Sequence, residues 1–252
     1  MAPGAAVTWL HIAAGTLVLG VAPAAMIVRK GGPSHRRWGL TFTFAMAAVL
    51  MTAAFMWQPH GHLFLFWLDF VCAYLVFQGF RVIARRRRKA PDVRADRIDL
   101  AAAALVLCCS AALLTLAATA DTPLMRGLAP ILASIAAIAG IFAALDLRAL
   151  AARVQTRLGS LLVHISAMIG AYISAVTAFC VINFHSVPMA ARWIVPSFIG
   201  TIVIGAFSTQ YRRRFARRTR SAPMAAPSAE RAPLPAAKPL PSFAVQVERV
   251  KN

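Results

Sequence analysis

Six histidines and one acid stand out as residues able to do chemistry: His11, His35, His60, His62, His164 and His185, with Asp69. An imidazole nitrogen can ligate haem iron, and three imidazole or carboxylate ligands plus a water make an open, hydrolytic zinc site. Two groupings follow. His35 and His164 would be the axial pair of a haem b, with His11 as a further haem ligand that can pair only with another histidine at its own depth. Alternatively, His11, His62, Asp69 and His185 would hold zinc. No HExxH motif supports the zinc set, and its members are far apart in the chain. His60 and His62 lie together in QPHGH, the composition of an aqueous turn. Four cysteines, Cys72, Cys108, Cys109 and Cys180, lack CxxC spacing and read as small apolar residues rather than as a zinc ribbon or a disulfide framework.

The elements that must position these groups are written in the composition. The 252 residues are 60% hydrophobic and only 14% charged, yet carry a net charge of +19, because the charge is gathered into blocks. Apolar runs fall at roughly 6–28, 38–57, 62–82, 98–119, 125–146, 158–183 and 191–210. Each has the length of about 20 residues that a hydrocarbon core of about 30 Å requires. The expected fold is therefore all-α, a polytopic seven-transmembrane helix bundle over residues 1–211, followed by a basic and then Pro/Ala-rich disordered tail at 212–252. Of the Lys and Arg residues, 25 fall in alternate connections and the tail, and only Arg126 and Arg192 fall on the opposite side. The positive-inside rule then places the N-terminus outside and the C-terminus in the cytoplasm. The cations sit close to membrane ends, so anionic lipid headgroups are their expected partner and nucleic acid is not. The first run lacks a basic region before it and reads as a retained helix rather than a signal peptide.

Depth sorts the ligands. His164 lies about six residues, or about 9 Å, into the sixth span, and about 14 Å separate it from His11 along the membrane normal. These two cannot share one iron. Asp69 follows His62 by seven residues on one helix face and lies at about the depth of His11. A buried ionisable residue in a span needs a partner or a function, and the bland partner for Asp69 is His11 or a tyrosine. Ser34 is a candidate N-cap for the second helix, leaving His35 in a first turn where the helix dipole and neighbouring cations favour a neutral imidazole. Small residues, Gly15 near His11 and an alanine face (Ala171, Ala175, Ala178) below His164, would leave room for a flat macrocycle. Ser166, Gly170 and Ser174 form a separate stripe suited to close helix packing.

His11-x3-Gly15, then Lys30-Gly31-x3-His35-Arg36-x2-Gly39, then a later helix carrying His164, together resemble the bacterial predicted-membrane-protein family called domain of unknown function 2306. The resemblance covers about residues 8–210. It implies a multi-pass protein of the bacterial cytoplasmic (inner) membrane with characteristic intramembrane histidines, and it brings no activity. Three functions are expected from the residues: a histidine-ligated haem b or other metal protein serving membrane electron transfer with a redox partner, a zinc-dependent membrane hydrolase, or a small-molecule or proton-coupled transporter or receptor-like bundle.

Overall fold

In a computed structural model the chain is described over residues 3–56, 63–87, 93–151 and 156–220. Seven α-helices account for nearly all of these: α1 (Pro3–Ile27), α2 (Pro33–Met56), α3 (Leu63–Arg87), α4 (Val93–Ala118), α5 (Pro123–Ala151), α6 (Arg157–Asn183) and α7 (Met189–Arg220). Each contains a segment long and apolar enough to cross a membrane. A helix is the form that such a segment must take, because lipid offers no partner to an exposed N–H or C=O. The chain divides into two units, 1–213 and 214–252. Of the second, only 214–220, the end of α7, is described, so the expected disordered tail from 221 onward lies outside the described residues.

The helices run beyond the apolar spans. α3 continues through Arg81 and Arg85 to Arg87, and α5 continues past Asp146 to Ala151, so side chains that read as loop charges sit on helices. The connection between α1 and α2 also differs in detail. Gly31 takes the left-handed conformation (φ 76°), Pro33 fills the first helical position and the Gly32 carbonyl accepts the first helical bond from Arg36, 3.1 Å away. The cap is Gly32 rather than Ser34. Proline is suited to that first position because its missing N–H would have had no helical acceptor.

Helices pack as α1 with α2, α4 with α5 and α3 with α6, and α3 also touches α2, α4 and α5. The α3–α6 contact is close because its residues are small. Cys72 Sγ lies 3.5 Å from the Ala171 carbonyl, and Ala167 and Ala171 are fully buried. A Cβ on Gly170 would lie 3.2 Å from Leu75, and one on Gly79 would lie 3.1 Å from Met168. At Ala171 the alanine face is therefore filled by α3, and Ala167 and the Gly170 member of the neighbouring stripe join the same contact. Gly79→Val is expected to cost about 1–3 kcal/mol by overpacking, read as lower thermal stability in detergent, whereas Gly79→Ala is expected to cost less because the Met168 thioether can move.

Pro23 explains a second contact. Inside α1 it has no N–H to give the Leu19 carbonyl four residues earlier, and Tyr172 Oη on α6 donates to that carbonyl at 3.4 Å. Tyr172→Phe is expected to cost about 1 kcal/mol. In a Pro23→Ala background the cost should shrink, since a backbone N–H then serves Leu19; a thermal double-mutant cycle measures the coupling. Outward-facing side chains such as Phe44, Leu105, Ile141, Ile194, Phe198 and Ile202 are large, apolar and exposed, as a lipid-facing surface requires.

Candidate functional site

The C-terminal ends of α1, α3 and α5 and the N-terminal ends of α2, α4 and α6 gather at one end of the 1–213 unit, and two imidazoles meet there. The last carbonyls of α1 have no intrahelical donor, and the chain uses them at once. His35 Nδ1 lies 3.0 Å from the Ala25 carbonyl. Lys30 Nζ donates to the same oxygen at 3.1 Å and to the Met26 carbonyl. Lys30 also lies over the Phe207 ring, 5.2 Å from its centre, and burial pulls its ammonium pKa below the usual lysine range. On α6, His164 Nδ1 lies 2.8 Å from the Gly79 carbonyl of α3. A carbonyl only accepts, so both Nδ1 atoms carry their hydrogens, and the neutral form of each ring has its lone pair on Nε2. The rings stand 6.4 Å apart between centres at 78°.

Next to this pair lies a buried ionic network. Arg81 grips Asp99 with two bonds, Nε to Oδ1 at 2.8 Å and Nη2 to Oδ2 at 3.2 Å. Arg85 Nη1 lies 2.7 Å from Asp99 Oδ2, and its Nη2 lies 3.6 Å from Asp146 Oδ1. Tyr74 Oη donates to Asp146 at 3.4 Å. Asp99 is 2% exposed and Asp146 7%. Two guanidinium and two carboxylate groups balance, which is what allows them to leave water together. Three helices are joined here, α3 to α4 through Asp99 and α3 to α5 through Asp146.

Of the residues singled out in the sequence, His35 and His164 come together and the outer set does not. His11 Nδ1 lies 2.9 Å from Thr52 Oγ1 on α2, and that hydroxyl's own hydrogen goes to the Ala48 or Val49 carbonyl. His11 is thus a donor to Thr52, and Asp69 is not its partner. Asp69 sits partly buried on α3, and its carboxylate has no hydrogen bond or ion pair among the described residues. His185 is exposed in the turn after α6. His60 and His62 lie outside the described residues. No group of three His, Cys, Asp or Glu side chains that could hold a metal ion occurs among the described residues, so His11, Asp69 and His185 do not form one. The four cysteines that are described are free thiols.

Neither a family model, nor a curated protein, nor a solved structure matches this chain. What the site can hold is then a matter of its donors. Two imidazoles alone suit a group that brings its own equatorial nitrogens, as haem does, and fall short of the three or four protein ligands that zinc takes. Two imidazoles sharing one metal in line, each through a bond of about 2 Å, have ring centres about 6 Å apart. The separation also lies within the range of an ordinary edge-to-face ring contact, about 4.5–7 Å. The shared lone-pair tautomer is the feature that ring contact alone does not require. Gly39, one turn beyond His35, has nothing within 4 Å of where a Cβ would be, while Ala171 below His164 is covered by Cys72 of α3.

Proposed function

We propose that the chain is a multi-pass protein of a bacterial cytoplasmic membrane that binds haem b between His35 and His164 and passes electrons to a redox partner. One observation carries this: two imidazoles from different helices, 6.4 Å apart, each with Nδ1 tied to a backbone carbonyl. Haem would supply the one-electron couple, and its potential would follow from the axial nitrogens and their burial. The chain's own part is to hold both rings at one depth, to fix their tautomers through Ala25 and Gly79, and to keep water out with the α3–α6 contact. The basic end faces the cytoplasm in this reading, where Arg29, Arg36 and Arg37 meet anionic headgroups. The resemblance to the domain of unknown function 2306 family, with its intramembrane histidines, agrees with this reading.

The test is a spectrum. Protein purified from haem-replete cells is expected to be red, with a Soret band and a sharp α band on reduction. Colourless protein with no iron by elemental analysis would refute the reading; zinc in its place would favour the hydrolase. Single cysteines placed at the exposed positions 29 and 37 should resist membrane-impermeant maleimide in intact cells, and labelling there would reverse the orientation.

A further inference from the structure

The network of Arg81, Arg85, Asp99 and Asp146 brackets the atom on which His164 depends. The Gly79 carbonyl accepts the His164 Nδ1–H at 2.8 Å. Tyr74, five residues before Gly79, donates to Asp146, and Arg81, two residues after it, is forked onto Asp99. Within a helix the Gly79 carbonyl already serves the N–H four residues ahead, so His164 takes its second lone pair and needs the oxygen well aimed. Gly79 has no side chain of its own to brace that turn. Its neighbours' side chains, anchored on α4 and α5, brace it instead.

We infer that the Arg81–Asp99–Arg85–Asp146 network is the positioning device of the His164 imidazole, holding the Gly79 carbonyl of α3 so that His164 keeps its Nδ1–H tautomer and presents Nε2 as a lone pair. The inference deepens the haem reading and rests on it for its purpose. Its physical content is the tautomer, which exists with or without haem. An equivalent clamp on the other ring is absent from this network: His35 relies on the end of α1 and on Lys30. The two imidazoles are therefore held by independent means, and disturbing the network should affect one ring and spare the other.

The experiment compares wild type with Arg81→Gln, Arg81→Lys and Asp99→Asn, each full length in detergent micelles. Arg81→Gln is milder than Asp99→Asn, because Arg85 still neutralises Asp99; it carries the test should Asp99→Asn fail to accumulate. Nitrogen-15 NMR of labelled histidines reports the tautomer in haem-free protein, and titration with haem reports affinity. In wild type His164 is expected as the Nδ1–H form. In Arg81→Gln it should become a mixture of tautomers while His35 stays unchanged, and haem affinity should fall about tenfold or more, the effect typical of losing a ligand's supporting bond. Arg81→Lys, which keeps charge and loses the fork, should fall between. Folded variants that keep the wild-type tautomer and bind haem within twofold of wild type would overturn the inference and leave the haem reading standing. Wild type that binds no haem while the tautomer still shifts in Arg81→Gln would refute the haem reading and leave the positioning role. A wild-type His164 protonated at Nε2 would overturn both.

Discussion

His164→Ala is expected to abolish the Soret band of the purified protein, and His35→Ala is expected to do the same. Each removes one of the two imidazoles that would hold the iron, and no third imidazole, thiol or carboxylate stands beside them among the described residues to take its place. Loss of a ligand's outer-shell partner lowers metal affinity about 10–100-fold, so loss of the ligand itself should exceed about 100-fold. Haem titration of the apoprotein measures this directly. His11→Ala is the informative control. Its ring bonds Thr52 at the opposite ends of α1 and α2, so the inner site should retain its spectrum and its affinity. A His11→Ala protein that loses all haem would place the iron elsewhere and would undo the pairing of His35 with His164. A His164→Gly variant adds a further check. Imidazole supplied in solution should restore the band, because the space vacated by the ring is of the ligand's own size.

The spans, their number and the meeting of His35 with His164 were legible because depth is a one-dimensional property. Hydropathy fixes where each helix enters lipid, and a rise of about 1.5 Å per residue then fixes the level of every side chain. Which side chains face each other at a given level is a rotational question that depth cannot answer. Hence Asp69 and His11 shared a level without becoming partners, while Thr52, an unremarkable hydroxyl in the sequence, holds His11. The ionic network was hidden for a different reason. Arg81 and Arg85 fall just past an apolar run, so they were counted as loop charges in the inward excess, and Asp99 and Asp146 sit at the margins of the fourth and fifth spans. A signal was present nonetheless. Arg81 and Arg85 are four residues apart, on one face of α3, and the two acids lie at the same end of their own helices. The alanine face below His164 suggests room for a ligand in the sequence, whereas small residues in a lipid bundle are more usefully spent on bringing another helix close. Cys72 of α3 takes that place at Ala171, and Leu75 and Gly79 of α3 meet Gly170 and Ala167 beside it.

Asp99→Ala is expected to destabilise the bundle by about 3–5 kcal/mol, the cost of leaving buried positive charge without its counter-charge. Arg81 and Arg85 both lean on this carboxylate, and Arg85 would be left with Asp146 at 3.6 Å as its only acidic partner among the described residues. The readout is a drop in the thermal transition in detergent and a loss of folded protein by size exclusion. The opposite outcome is expected when the whole network is made apolar. Arg81→Met, Arg85→Met, Asp99→Leu and Asp146→Leu, with Tyr74→Phe and Gln78→Leu so that no donor is stranded, should be neutral or stabilising, because buried ion pairs seldom exceed well-packed hydrocarbon in net stability. The contrast separates two reasons for keeping four charges inside a bundle. If the network served packing alone, the apolar variant would keep every property of the wild type. If it aims the Gly79 carbonyl, the apolar variant will be as stable as wild type and will still let His164 drift between tautomers, with haem binding weakened in proportion.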